Sequence, residues 1–401
     1  MIIIFDRRQN VPGKKVGPSK ETEKMSKNYY SNNEQIPEAY VRLAQALDEG
    51  PLTAPKSEGD FSRAFLKYLS LLYSPQEAEI AGLLKMGMKF TSAADIANRL
   101  GKTEEEIRKI LDPLAERGKV IGMGGMYVLP PIAMVLNYHQ FNEETGQDDI
   151  QAAELYQQYF IKDGYYKYYE SSEKGTQIMR VIPVQKTLHP GQDILDTEDA
   201  HRIIESVEEL RLVSCPCRTR TEKLGIRECK DRFPIGNCIM MDNSARYFAH
   251  LGIGKAVSAD EAKTYFDEMQ ALGLVGTTDN YDAGGHTVIC LCCDCCCSQL
   301  RGRTRWDNPE AVAPSNFVAE AGEDCIMCGE CVERCFFKAI ELDEDAGSAV
   351  VSEERCMGCG VCTLACEHGA MRLKRVERHK PFPGPRELFK KIAIENRDKE
   401  A

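Results

Sequence analysis

Two copies of one cysteine motif lie near the C-terminus of this chain, and they constrain its fold more than any other feature. Each copy has the spacing C-x2-C-x2-C-x3-C and closes on a small apolar pair, Ala339-Ile340 in the first and Ala370-Met371 in the second. Matched spacing with matched flanks indicates an internal duplication. The cysteines of the two copies are Cys325, Cys328, Cys331 and Cys335, followed by Cys356, Cys359, Cys362 and Cys366.

The spacing of these cysteines favours iron–sulfur clusters. Three thiolates separated by two residues each can wrap around one corner of a cubane cluster. The fourth cysteine is predicted to start a short helix and to bind the cluster of the other run. Zinc and disulfides are the alternatives, but zinc motifs rarely show four cysteines at this spacing twice in tandem. Two [4Fe-4S] clusters are therefore predicted, one on Cys325, Cys328, Cys331 and Cys366 and one on Cys356, Cys359, Cys362 and Cys335.

One departure from the usual pattern follows the fourth cysteine of each run. A proline commonly stands there, but this chain has Phe336 and Glu367. The change removes no ligand. It is expected to alter the local turn or the potential of the cluster.

The composition of the chain is that of a soluble globular protein with about two to four domains. It has 401 residues, of which 43% are hydrophobic and 28% charged. A net charge of -11 argues against nucleic acid as the main partner. No apolar run approaches the roughly 20 residues of a membrane span, and residues 1–5 are too short for the core of a signal peptide. A cytoplasmic location is predicted, and Met25 offers an alternative start.

Ten further cysteines form a second cysteine-rich region between residues 215 and 297. In a cytoplasmic chain they indicate metal or redox chemistry rather than disulfides. Two predicted strands, near 212–213 and 287–289, each run into cysteines, while Cys229 and Cys238 are placed in a loop. The region is predicted to hold one or two further iron–sulfur clusters, or zinc. The candidate ligands are Cys215, Cys217, Cys229, Cys238, Cys292, Cys293, Cys295 and Cys296.

Five arginines flank this second region, and they suit either of two roles. They could stabilise a negatively charged cluster or bind an anionic group of a substrate or partner. They are Arg218, Arg220, Arg301, Arg303 and Arg305.

The N-terminal third has the helix and hairpin pattern of a winged helix. Helices are predicted from Phe61, after Ser74 and after Ser92, and a fourth starts with a capping box at Thr103. A hairpin follows over 119–129. The last helix opens with three glutamates, which a phosphate backbone would repel. A docking module is therefore favoured over a DNA-binding one.

These features together predict an α+β, multi-domain chain. It has a winged-helix-like N-terminal domain, a mixed α/β cysteine-rich middle domain and a C-terminal ferredoxin-like 2[4Fe-4S] domain. The predicted segments are a flexible leader (1–35), the winged-helix-like domain (36–135), the middle domain (136–307), a linker (308–322), the two-cluster domain (323–375) and a C-terminal arm (376–401).

The stretch from about residue 40 to 375 resembles a group of multi-domain 4Fe-4S binding proteins of anaerobic bacteria and archaea. The resemblance implies electron transfer in anaerobic metabolism with a dedicated oxidoreductase. It rests on Leu111-Asp112-Pro113-Leu114, Cys215-Pro216-Cys217-Arg218, Gly273-Leu274-Val275, the run from Cys292 to Cys297, and Pro314-Ser315-Asn316-Phe317.

Three functions are compatible with these patterns. The favoured one is an electron-transfer protein or oxidoreductase subunit that passes single electrons through the two clusters and a middle centre to a redox partner. The second is a reductase whose middle cluster acts directly on a disulfide or another small substrate. The third is a redox-responsive winged-helix regulator. The chain shows no dinucleotide or phosphate-loop fingerprint, so direct use of NADH is not expected.

Overall fold

The structure, a computed structural model, describes residues 35–397 except 88, 142, 170, 173, 188–194, 283 and 307. The predicted leader lies outside this part of the chain, apart from its last residue. Among the described residues, no helix is both long and apolar enough to cross a membrane.

The N-terminal region places a small sheet beside a group of helices. Reciprocal capping boxes start two of these helices, Ser74 with Glu77 and Thr103 with Glu106. Strands β3, β5 and β4 form an antiparallel sheet in that order. The elements are α1 (Glu38–Asp48), β1 (Lys56–Ser57), β2 (Asp60–Phe61), α2 (Arg63–Leu72), α3 (Pro75–Ala81), β3 (Thr91–Ser92), α4 (Ala93–Leu100), α5 (Glu104–Glu116), β4 (Ile121–Met123) and β5 (Met126–Val128).

An aromatic segment connects this region to the cysteine-rich one. It contains α6 (Ile132–Asn137) and α7 (Gln147–Gln157), which continues into one π-helical turn, Gln158–Lys162. Tyr156 is fully buried, and its ring stacks on Phe160 with centroids 4.6 Å apart. The Arg220 guanidinium also lies over the Tyr156 ring, 3.5 Å from the centroid. The tyrosine-rich stretch is therefore a packing layer beside the cysteine-rich region.

A six-stranded antiparallel sheet, in the order β6-β10-β11-β8-β7-β9, is the framework of the middle region. The sequence pattern predicts only two of these strands. Cys238 lies in central strand β8 and not in a loop, because Cys238 to Met241 is an apolar run that the sheet buries. The elements are β6 (Met179–Ile182), α8 (Ala200–Glu205), β7 (Leu210–Ser214), α9 (Pro216–Lys223), β8 (Asn237–Met241), α10 (Asn243–His250), β9 (Lys255–Ala256), α11 (Ala259–Leu272), β10 (Val275–Asp279), β11 (Val288–Cys292) and α12 (Ser298–Arg305).

Two antiparallel strand pairs enclose the duplicated motif. Strand β12 pairs with β15, and β13 pairs with β14. The segment 308–322, predicted as a linker, thus contains a strand that pairs with the end of the two-cluster region. The elements are β12 (Phe317–Ala321), α13 (Glu330–Arg334), β13 (Ile340–Asp343), β14 (Ser348–Val351), α14 (Val361–Leu364), β15 (Met371–Arg375) and α15 (Pro385–Arg397).

A buried carboxylate joins the middle sheet to this C-terminal region. Glu198 is fully buried, and its Oε1 accepts hydrogen bonds from Arg180 Nη2 at 2.9 Å and from the backbone N–H of Asn316 at 2.6 Å. Its Oε2 lies 3.2 Å from Arg375 Nη1. Arg180 belongs to β6 and Arg375 ends β15, so one side chain fixes both regions.

Candidate metal centres

The first cysteine run surrounds a cavity together with the last cysteine of the second run. The residues lining this cavity include Cys325, Cys328, Cys331 and Cys366. Burial raises the pKa of the Cys331 thiol, and the neighbouring Cys325 and Cys328 thiols add to this effect. The four thiols proposed for the first cluster thus line one space, which fits a cluster held across the two runs.

The second run is brought together with Cys335 in the same way. Burial raises the pKa of Cys359 to about 12, and the nearby charges of Cys335 and Cys356 contribute to the shift. The pKa of Cys362 is also raised by burial and then by Cys359, Cys356 and Cys335. The residues present therefore fit two four-iron clusters with crossed ligands.

The two cysteine loops have similar backbone conformations at equivalent positions. Met327 and Gly358 occupy equivalent positions with φ of 57° and 66°, and Gly329 and Gly360 follow with 83° and 73°. A Cβ on Gly358 would lie 2.2 Å from the Phe317 carbonyl oxygen. The second loop therefore packs too tightly for any residue but glycine, whereas the first accommodates a methionine.

The short helix of each repeat precedes the fourth cysteine and does not start at it, contrary to the prediction. In the first repeat α13 (Glu330–Arg334) follows Gly329, contains Cys331 and has Cys335 as its C-cap. A left-handed glycine redirects the chain before the helix, so the third ligand lies in the helix and the fourth follows it. The fourth thiols then accept amide hydrogen bonds, Cys335 from Ala339 at 3.3 Å and Cys366 from Met371 at 3.4 Å. Such N–H···S bonds tune cluster potentials.

Phe336, which replaces the usual proline, contacts the middle region. Its ring lies 6.3 Å from that of Phe233 in an edge-to-face arrangement. The Phe233 amide in turn donates a 2.9 Å hydrogen bond to the Cys229 carbonyl. The departure from the pattern therefore supplies a contact between the two cysteine-rich regions.

Four middle-region cysteines form a compact tetrad: Cys229, Cys293, Cys295 and Cys296. All four are buried, and their sulfur atoms lie within 4.8 Å of one another. The Sγ atoms of Cys229 and Cys296 are 3.8 Å apart, and those of Cys293 and Cys295 are 3.7 Å apart. Metal–sulfur bonds of about 2.3 Å give a tetrahedron whose edge is about 3.8 Å. The tetrad thus has the dimensions for one tetrahedral ion, zinc or a single iron.

The tetrad already favours a thiolate. Hydrogen bonds from Cys229, Cys295 and Cys296 hold the pKa of Cys293 well below its usual range. A thiolate, not a thiol, is the form that binds metal. A metal site in the middle region is therefore supported by the chemistry of its donors.

The pKa of each of the other six middle cysteines is shifted by two neighbouring thiols, and these pairings close into a cycle that we call the thiol ring. The interacting pairs are Cys215–Cys217, Cys217–Cys297, Cys297–Cys292, Cys292–Cys290, Cys290–Cys238 and Cys238–Cys215. Four of the predicted ligands belong to this thiol ring, and four belong to the tetrad. Cys290 and Cys297 were not among the predicted ligands. Alternation along β11 could have identified Cys290, because it shares a face with Cys292.

Protonation alternates around the thiol ring. Hydrogen bonds from neighbouring thiols lower the pKa of Cys217, Cys238 and Cys292, that of Cys292 to about 6. The three thiols that donate these hydrogen bonds have raised pKa values; they are Cys215, Cys290 and Cys297. Every second thiol therefore favours the thiolate.

Three of the five flanking arginines are buried beside these thiols: Arg218, Arg220 and Arg301. Burial disfavours the charge of Arg218, but the charges of Cys215 and Cys293 raise its pKa well above the usual value. Cys215 belongs to the thiol ring and Cys293 to the tetrad, so one guanidinium serves both. Arg305 instead pairs with Glu228 at 2.7 Å near the surface. Of the two roles considered for these arginines, stabilisation of a negatively charged cluster is the one that suits the buried three.

The basic side chains of helix α5 are matched by acids of the same helix. Lys109 lies 2.9 Å from Glu105, and Arg108 lies 3.4 Å from Asp112. A DNA-binding helix needs cations that face phosphates. These pairs favour the docking interpretation of the N-terminal region.

Comparison with known proteins identifies the C-terminal region. Residues 324–378 match the 4Fe-4S dicluster domain family. This is an iron–sulfur domain of the ferredoxin type. The dicluster domain contains all eight cysteines of the duplicated motif, and its strands β13 to β15 lie within the matched residues.

Three relatives share part of this sequence. A polyferredoxin-like subunit of aliphatic sulfonate oxidoreductase from Pyrococcus furiosus is 36% identical over 83 residues, 19% of this chain and 47% of the relative. An uncharacterized ferredoxin of Methanocaldococcus jannaschii is 31% identical over 93 residues, 22% of this chain and 54% of the relative. The archaeal-type glutamate synthase [NADPH] of Dehalococcoides mccartyi is 36% identical over 59 residues, 14% of this chain and 12% of that protein.

The chain spans about half the length of the two ferredoxin-like relatives, 47% and 54%, and 12% of the synthase. No solved structure matches the chain. The comparisons thus support an iron–sulfur electron-transfer role.

Proposed function

We propose that this chain is an electron-transfer protein, or the electron-carrying subunit of an oxidoreductase. In this proposal single electrons pass through the dicluster domain between a partner enzyme and the middle region. One observation carries the proposal, namely that the two ligand loops have different surroundings. The first loop is open to solvent, with Cys328 exposed and Ile326 60% exposed. The second loop packs on the middle region, where the Cys359 carbonyl accepts a 3.0 Å hydrogen bond from the Val184 amide.

The surroundings of the two loops assign a different role to each cluster. The first cluster is the point of exchange with a partner, and the second faces inward. From the second cluster a route leads through Cys335 and Phe336 to Phe233, whose amide is bonded to Cys229 of the tetrad. A single iron in the tetrad would extend this route, whereas zinc would end it, since zinc has no redox chemistry.

Acidic residues around the exposed loop define the kind of partner. Glu323, Asp324, Glu330 and Glu333 are all exposed there. A partner with a basic patch beside its own redox centre would be steered to this loop. The relative named as an oxidoreductase subunit supports a catalytic partner of this kind.

The N-terminal region completes the proposal as a winged-helix-like docking module. Its helix α5 has an acidic opening and internally paired cations, which suit protein contacts better than DNA. We place the chain in the cytoplasm, where thiols stay reduced, and in an anaerobic cell, because the exposed first loop would leave its cluster open to oxygen.

Electron transfer to a basic acceptor tests the proposed exchange surface. Chemically reduced protein is mixed with a basic cytochrome c in a stopped-flow instrument without oxygen. The double variant Glu330→Gln with Glu333→Gln should reduce the cytochrome about threefold to tenfold more slowly at low salt, because it weakens steering to the exposed loop. The difference should shrink as salt is added.

A matched variant removes two carboxylates elsewhere. Glu104→Gln with Glu105→Gln makes the same change in net charge on helix α5, and it should leave the rate close to that of the natural chain. Equal slowing in both double variants would mean that overall charge controls the rate, and the assignment of the exchange surface would be abandoned.

A further inference from the structure

The geometry points to a third iron–sulfur core, of four irons, held by the six-membered thiol ring and separate from the single ion of the tetrad. The electron-transfer function does not require this site. Three features support it: the arrangement of the ring thiols, the elements that contain them and the charge around them.

The thiol ring is wider than a site for one ion. Cys215 and Cys238 are buried in one cluster against which Cys217 and Cys290 pack, yet among the described residues only the tetrad brings three or more ligand atoms within 4.8 Å of one another. No three ring thiols are that close, so no tetrahedral ion can bind three or four of them without rearrangement. A polynuclear core, whose terminal thiolates lie farther apart than the ligands of one ion, suits this spacing better.

The elements that present these thiols belong to the rigid framework. Cys238 lies opposite Val213 in the pairing of β8 with β7, and β11 pairs on the other side of β8. Cys290 and Cys292 are on β11, where alternate residues share one face. Two adjacent strands, β8 and β11, therefore contribute thiols, and Cys215 follows directly after the neighbouring strand β7.

Two eight-residue helices also begin at this ring. Cys215 is the N-cap of α9, which contains Cys217 in its first turn, and Cys297 is the N-cap of α12. Helix N-termini carry partial positive charge and favour nearby thiolates. Convergence of two such ends on six thiols creates an environment for a negatively charged core.

A buried arginine supplies further compensation. Arg218 is 1% exposed, and its Nε and Nη1 donate to the carbonyl oxygens of Ile235 and Leu291. Within the described part of the chain its Nη2 has no hydrogen-bond partner. A buried guanidinium with an unused donor is costly, and a thiolate-bound core beside Cys215 and Cys238 would provide an acceptor.

Acid-labile sulfide distinguishes this core from bound ions. The natural chain, purified without oxygen, should contain about 12 sulfides, about eight from the dicluster domain and about four from the ring. A ring variant with Cys217→Ala, Cys238→Ala and Cys292→Ala keeps three ring thiols, one fewer than the four terminal ligands of a fully thiolate-bound core. It should lose about four irons and four sulfides and keep the other eight.

Two further variants locate the loss. Cys229→Ala, in the tetrad, should lose one metal ion and no sulfide. Met240→Leu, two residues from Cys238 on the same strand, should lose neither and reports on packing alone. About eight sulfides in the natural chain would overturn the proposal even if the ring variant did not fold. Retention of 12 sulfides by the ring variant would overturn it as well. Fewer than eight sulfides in the natural chain would contradict the dicluster function instead.

Discussion

Replacement of Cys366 by alanine is expected to remove the first cluster, although Cys366 lies in the second cysteine run. The cavity of the first run is lined by Cys325, Cys328, Cys331 and Cys366, so the loss of Cys366 leaves three ligands there. The protein should lose about four of the roughly eight dicluster irons. Iron and sulfide analysis of protein purified without oxygen measures this loss.

Pairs of alanine variants decide which thiols share a cluster. Cys325→Ala combined with Cys366→Ala should lose no more iron than either alone, because both changes affect the first cluster. Cys356→Ala combined with Cys366→Ala should lose about eight irons, because each change affects a different cluster. If each run bound its own cluster, the second pair would lose only about four, and crossed ligation would be rejected.

Replacement of Glu198 by alanine should destabilise the folded chain by about 3–5 kcal/mol. The change leaves Arg180, which is fully buried, without its ion partner at 2.9 Å. It also removes the acceptor for the Asn316 amide and the partner of Arg375. Urea unfolding of the cluster-loaded protein, followed by circular dichroism, gives the free energy of unfolding.

An exposed ion pair between strands β12 and β15 provides the comparison. Glu320 lies 3.8 Å from Lys374, and both side chains are more than half exposed. Glu320→Ala should change the free energy of unfolding by less than about 1 kcal/mol. A Glu198→Ala protein as stable as the Glu320→Ala protein would show that the buried carboxylate does not hold the two regions together.

Short-range sequence signals were enough to predict a helix start, a hairpin turn and the duplicated cysteine motif. The capping box at Thr103 starts α5, and Gly122, Gly124 and Gly125 lie in the β4–β5 hairpin. The duplicated cysteine motif was identified from its spacing, and the dicluster match covers it. Each of these signals lies within about ten residues, where capping and turn chemistry decide the structure.

The middle sheet depends on contacts between distant segments, and the sequence revealed only part of it. Strand β10 is buried on both faces and contains Gly276, Thr277 and Thr278, so it lacks the alternation of a half-exposed strand. Its partners are β6 and β11, the first nearly a hundred residues away. Such pairing has no local signal, and the division of ten cysteines into a tetrad and a thiol ring follows from it.

The close packing of the second ligand loop has a consequence for oxidative damage to the clusters and for their replacement. Gly358 packs against the Phe317 carbonyl and Cys359 against Val184, whereas Cys328 faces solvent. With the ligands assigned as proposed, we expect oxidants at the surface to reach the first cluster while protein shields the second. The first cluster would then be lost and rebuilt on a folded scaffold, whereas the second would be inserted before the dicluster domain closes on the middle sheet. We therefore expect packing to set the order of maturation, with the inner cluster built first and the outer one replaceable.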